Sequence, residues 1–342
     1  MQEYNIIDKI KERYSQQDFD KISSKEELIP ADLRRIALEL GIAVFGFILL
    51  EIVVRQLLYA ILIAAVQGGL ITDSDLYMAV VYIVSALISY LPKILVFGFL
   101  YKKYKPLCRL NEKYENKLYY PLLFIPATFA FGMWGSQITS LINYLLQLFF
   151  GAGEIPNILE QAAPASFLTA ILALVNTVII APLCEEFIYR HLLLKSLRPM
   201  GDTTAIILCS LIFGLAHGNF DQFAYSFLSG LVFALVAVRY NSIIPTIILH
   251  IMNNFFVTVI TYSTQLTCDN ELWNGFVSAV VTVGTYLVNF SYYAGPFVAL
   301  LIAFTGAARL KPVTGEDKYE KLRTVFCPVL IAGLAVMLSM FS

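Results

Sequence analysis

The sequence predicts an all-α fold: a polytopic transmembrane helical bundle of about eight to nine spans with its N-terminus in the cytoplasm. Three observations lead there. Of the 342 residues, 58% are hydrophobic and only 14% charged, with a mean hydropathy of +0.71, outside the range of soluble domains. Apolar stretches of about 18 residues or more recur along the chain, the length needed to cross a bilayer core. Lysine and arginine gather in alternate loops, as expected of a chain threaded repeatedly through a membrane.

The first 35 residues form a charged cytoplasmic arm. Its "SSKEELIPADLRR" stretch sets Ser23 and Ser24 three residues before Glu26 and Glu27, a helix-capping pattern. Apolar residues begin near Ile36, too late for a cleavable secretory signal. Expected spans follow at 36–66, 77–101, 119–150, 166–198, 203–218, 221–240, 243–262, 274–308 and 325–342. The eighth is long enough to kink at Pro296, and the last is short enough to lie at the interface. The loops "GGLITDSD", "GAGEIPNILEQAAPA" and "STQLTCDNELW" hold no Lys or Arg, while the loops between them hold nearly all. With nine spans the two kinds alternate without exception.

Several function classes are excluded or weakened at once. A net charge of −1 gives no reason to expect nucleic-acid binding. The five cysteines are scattered with no CxxC spacing, so neither a disulfide framework nor a zinc ribbon is indicated. No internal repeat of the transporter kind is evident.

Charges inside a bilayer are costly, and each one needs a partner or a role. Glu51 and Arg55 lie four apart on the first span and read as a self-contained ion pair. Lys93, after Pro92, reads as structural. Gln137 and Asn143 are expected to hydrogen-bond between helices. The fourth span differs, because "APLCEEFIYRH" follows a long apolar run. Glu186 and Arg190 are four apart and can pair along one face. Glu185 lies about 100° around the helix, outside that pairing. A carboxylate left without a cation in a low-dielectric setting suits a general base.

Only three histidines occur in the chain, and two fall near that glutamate in depth. At about 1.5 Å per residue, Glu185 lies roughly 20 Å, His217 roughly 22 Å and His250 roughly 15 Å from the cytoplasmic helix ends. Asn254 follows His250 by one turn on the same face. His191 lies nearer the cytoplasm and reads as peripheral. Glutamate plus histidine can hold and deprotonate a water, making a nucleophile for an acyl carbon. The second histidine with Asn254 offers donors for a developing oxyanion. Glu185, His217 and His250 would also match a three-ligand zinc site, although no HExxH stretch is present. The cofactor expectation is therefore none, or a divalent metal such as zinc. Ser136 in "GMWGSQ" implies no paired histidine, and every aspartate lies in or beside a loop.

These three stretches resemble the motifs of the CPBP family, the CAAX-protease and bacteriocin-processing group also called Abi proteins. The family pattern of EExxxR, FxxxH and HxxxN is filled here by Glu185, Glu186 and Arg190, then Phe213 and His217, then His250 and Asn254. The likeness covers about residues 166–262, between N-terminal helices over 36–165 and C-terminal helices over 263–342. It implies an intramembrane active site. In that mechanism the residue matching Glu185 acts with the one matching His217 to activate water. Those matching His250 and Asn254 stabilise the oxyanion, while Glu186 and Arg190, with Phe213, support the helices.

The expected function is an intramembrane endopeptidase cutting a membrane-associated protein or peptide, with the lipid bilayer as its other partner and a bacterial plasma membrane as its location. A non-catalytic immunity or scaffold protein of the same family is the alternative, and a transporter using the same polar cluster ranks behind both.

Overall fold

The computed structural model describes residues 30–104, 117, 119–151, 164, 166–310 and 328–339. The N-terminal capping pattern, Cys108, Cys327 and the basic stretches of 105–116 and 311–327 lie outside the described residues. Every regular element among the described residues is helical. We number the helices α1 (Pro30–Gln67), α2 (Ser74–Tyr104), α3 (Tyr120–Phe150), α4 (Phe167–Leu197), α5 (Asp202–Leu215), α6 (Phe220–Tyr240), α7 (Ile244–Thr261), α8 (Glu271–Thr305) and α9 (Pro328–Ser339).

Local chemistry accounts for many of the ends. Ser166 and Thr169 form a reciprocal capping box at the start of α4. Asn219 and Asn270 accept from the backbone N–H of Gln222 and Trp273 at the starts of α6 and α8. Gly151 and Gly306 end α3 and α8 in the left-handed region, and Asn241 does the same for α6. Pro296 does not end α8, which continues to Thr305.

Among the described residues, six helices are long and apolar enough to cross a membrane: α1, α2, α4, α6, α7 and α8. The expected third span, α3, is 31 residues long but is not among the six. Gln137, Asn143 and Gln147 lower its hydropathy. At 14 and 12 residues, α5 and α9 are shorter than a bilayer core.

α6 sits centrally, packed on α3 and α5, while α8 lies against α3, and α9 and α2 flank α1. Close approach relies on small residues, as is usual between membrane helices. Gly135 of α3 faces the backbone of Ala224 on α6, and Gly41 of α1 faces the backbone of Leu330 on α9. Large apolar side chains such as Leu49, Phe99, Phe150, Phe276 and Phe304 are exposed around the outside, a surface suited to lipid.

One intramembrane expectation changes. The Glu51–Arg55 pair is not self-contained: Glu51 meets Arg55 at 3.2 Å and also Lys93 of α2 at 2.7 Å. Arg55 occupies one carboxylate oxygen, and the other accepts from Lys93 on the neighbouring helix. Asn143 accepts from Gln147 on its own helix. At the start of α5, Asp202 pairs with Arg198 at 2.8 Å.

Candidate active site

The site is organised by α4, which is not a uniform α-helix. Two stretches, Asn176–Ile180 and Glu186–Leu193, have the wider π pattern. Such bulges release carbonyls from the regular ladder and re-aim side chains, and they are frequent at functional positions. The second begins at Glu186, so the glutamate doublet straddles the change of pitch.

Glu186 and Arg190 are fully buried and meet at 3.3 Å. Arg190 also donates to the carbonyl of Gly230 on α6 at 3.4 Å. Its guanidinium lies over the rings of Phe213 and Phe233, at 4.3 and 5.3 Å from their centroids. A Cβ on Gly230 would fall 2.9 Å from the Phe213 ring and 3.5 Å from the Arg190 guanidinium, so a bare backbone fits here. Phe213 therefore forms part of the aromatic wall around the buried cation.

His250 bridges the two glutamates. Its Nδ1 lies 2.9 Å from Glu186 Oε1, and its Nε2 lies 3.7 Å from Glu185 Oε2. A carboxylate accepts, so Nδ1–H donates to Glu186. The imidazole stacks on Phe233 with centroids 4.8 Å apart. Glu185 further accepts from the hydroxyl of Tyr90 on α2 at 3.4 Å. Its side chain is 15% exposed, against 0% for Glu186. The carboxylate expected to lie outside the Glu186–Arg190 pairing thus meets a tyrosine hydroxyl and an imidazole.

His217 lies just past the end of α5. Its Nδ1 is 2.9 Å from the carbonyl of Phe213. A carbonyl only accepts, so Nδ1 carries a proton, and in the neutral imidazole Nε2 then keeps its lone pair. Glu185 and His217 line one cavity of about 190 Å³, together with Ser89, Tyr90, Lys93, Tyr189 and Ala216.

Asn254 is placed elsewhere. Its amide donates at 2.8 Å to the carbonyl of Thr177, inside the first π stretch, and its Oδ1 accepts from Asn253. Asn253 in turn accepts from Tyr225 at 2.8 Å. Asn254 therefore ties α7 to an opened turn of α4, and neither it nor His250 lines the cavity that holds Glu185 and His217. His191 sits apart, with Lys195 at 3.2 Å and Phe187 stacked at 5.4 Å.

Among the described residues, no group of three or more His, Cys, Asp or Glu side chains is arranged to hold a metal ion. Glu185, His217 and His250, the ligand set considered from sequence, do not fit a zinc site. The reason is geometric: His250 turns Nδ1 to Glu186 and is packed against Phe233, while His217 stands across the cavity. Tyr90 and Lys93 were not singled out as site residues by sequence. Tyrosine is too common here to be a signal, with 20 in the chain, but a lone lysine within an apolar span was one.

Comparison with known proteins meets this geometry on the same helices. The family model described as type II CAAX prenyl endopeptidase Rce1-like matches residues 166–256, from the start of α4 into α7. The segment that carries EExxxR, FxxxH and HxxxN is thus similar to the CAAX prenyl endopeptidase family. A curated relative, the membrane-embedded CAAX protease MroQ of Staphylococcus aureus (strain USA300), is 29% identical over 138 residues, covering 38% of this chain and 54% of that protein. The chain spans about half the length of that relative. No solved structure matches. The matched segment comprises α4, α5, α6 and most of α7, while α1, α2, α3, α8 and α9 lie outside it. Tyr90 and Lys93 reach the cavity from one of those outer helices.

Proposed function

We propose that this CPBP-family membrane protein is an intramembrane endopeptidase that hydrolyses a peptide bond of a membrane-associated protein or peptide, in a bacterial plasma membrane. The observation that carries this is the pairing of Glu185 with His217 on one polar cavity inside an apolar bundle. The description of MroQ as a CAAX protease supports it.

The chemistry follows from the two groups. A water in the cavity donates one proton toward Glu185 and a second hydrogen bond to the bare Nε2 of His217. As its oxygen bonds to the scissile carbonyl carbon, the proton passes to the Glu185 carboxylate and the carbonyl π electrons move onto oxygen. Collapse of that tetrahedral species breaks the C–N bond, and the proton held by Glu185 passes to the leaving nitrogen. Tyr90 and His250 hold the carboxylate in place from the other side. Glu186 and Arg190 fix the helix geometry beneath. No step runs through a metal.

A proteomic comparison of cells carrying the wild type with cells carrying Glu185→Ala tests this. Uncut precursors accumulate in the variant, and purified wild-type protein cleaves a peptide spanning the cut site while the variant does not. Equal cleavage by both would sink the proposal.

One observation favours a second, non-catalytic reading as an immunity or scaffold protein. His250 and Asn254 spend their polar groups on internal partners, which is how structural residues behave. Under that reading, Glu185→Ala and His217→Ala would still complement the cellular phenotype.

A further inference from the structure

The cavity needs a group opposite Glu185 and His217 where negative charge develops, and the two residues matched by sequence to that task do not line it. Lys93 does. It is 4% exposed, and two of its three N–H groups are spent on Ser89 O at 2.8 Å and Glu51 Oε2 at 2.7 Å. An ammonium carries three donors, so one remains.

The charge count around the cavity points the same way. Glu186 and Arg190 cancel. Glu51 is shared between Arg55 and Lys93, leaving that trio with one surplus positive charge. Glu185, a carboxylate with no lysine or arginine paired to it, is the negative group on the same cavity that balances it. When Glu185 takes a proton from water and the carbonyl oxygen becomes an oxyanion, the negative charge crosses the cavity. The surplus cation stays fixed on its wall throughout. A preorganised charge of this kind stabilises a transition state without reorganising.

We infer that Lys93, held by Glu51 and the carbonyl of Ser89, is a catalytic residue of this site: its remaining N–H donates to the carbonyl oxygen of the scissile bond as that oxygen becomes negative. The inference rests on the hydrolase proposal above. Glu51 is then a positioning residue, because it acts only through Lys93.

The test is steady-state kinetics of the full chain in proteoliposomes, on a fluorogenic peptide spanning the cut site found by the proteomic comparison. Lys93→Met lowers kcat about 100-fold or more, the scale for loss of an oxyanion donor, with KM within about threefold. Lys93→Arg recovers at least about tenfold of that loss. The double variant Lys93→Met with Glu51→Leu removes the bridge without leaving Glu51 facing a lost partner, and it stays as slow as the single variant. Wild-type kcat in Lys93→Met, recovery of rate in the double variant, or a rise in KM alone would each overturn the inference. Glu185→Gln separates the two proposals. If it is inactive while Lys93→Met is fully active, only the role of the lysine fails. If both are fully active, the hydrolase proposal fails with it.

Discussion

Glu185 and Glu186 are adjacent in the chain yet occupy opposite electrostatic settings. Glu186 is enclosed with Arg190 and His250, and all three fall in a shell of Phe213 and Phe233. Breaking one side of a fully buried pair leaves the other charge uncompensated, which costs about 3–5 kcal/mol. Glu186→Ala is therefore expected to lower the thermal unfolding midpoint in detergent markedly, with loss of folded protein at working temperature. Glu185→Gln is expected to leave that midpoint within a degree or two, because its partners are a tyrosine hydroxyl and an imidazole edge at 3.7 Å. Comparing the two melts separates the structural glutamate from the one proposed as base. Asn254→Ala removes the donor to Thr177 O and strands a carbonyl in the opened turn of α4. A loss of about 1–3 kcal/mol is expected, read by the same unfolding measurement. If Asn254 were instead an oxyanion donor alone, the midpoint would not move and only kcat would fall.

At the scale of elements, the site depends on how closely the helices meet. A Cβ at Gly135 of α3 would fall 2.5 Å from the carbonyl oxygen of Ala224 on α6, and backbone has nowhere to go. Gly135→Ala is expected to cost about 1–3 kcal/mol through overpacking. Gly98 of α2 has no neighbour within 4 Å of such a Cβ, so Gly98→Ala is expected to be neutral or stabilising by up to about 1 kcal/mol. Paired unfolding measurements of the two variants check the contrast. α4 shows where element-level expectation falls short. A regular pitch sets Glu185 about 100° from Glu186, but π stretches at Asn176–Ile180 and Glu186–Leu193 alter the register along the helix. Nothing in "NTVII" or "EFIYRHLL" announces a wider turn, because the bulge is stabilised by partners on other helices. Asn254 of α7 is one of them, donating to the carbonyl of Thr177.

At the scale of the whole molecule, six helices qualify as spans by length and composition, and three others fall short by polarity or length. Membrane location is common to the apolar helices and to MroQ. From the distribution of basic residues we propose a cytoplasmic N-terminus. Single cysteines introduced at Gly151 and Gly69, in a variant lacking the native five, are expected to react with a membrane-impermeant maleimide added outside intact cells. One introduced in the N-terminal arm is expected to react only after lysis. The reverse pattern would invert the orientation and place the cavity on the other face.

Composition, hydropathy and the ordered appearance of EExxxR, FxxxH and HxxxN were sufficient for the helical class, the membrane setting and the likeness to CAAX proteases, because each is written in local pattern or in residues near one another in the chain. The pairing of Glu186 with Arg190 was legible for the same reason, being one helical turn long. Which groups share a cavity was not. Glu51 lies 42 positions from Lys93, and Tyr90 lies 95 positions from Glu185, and only the packing of α1, α2 and α4 makes them neighbours. The same packing turned His250 and Asn254 inward to Glu186 and Thr177 and left Lys93 on the wall of the cavity. Charges buried in a low-dielectric bundle must find partners wherever the fold supplies them, and that assignment belongs to tertiary structure alone.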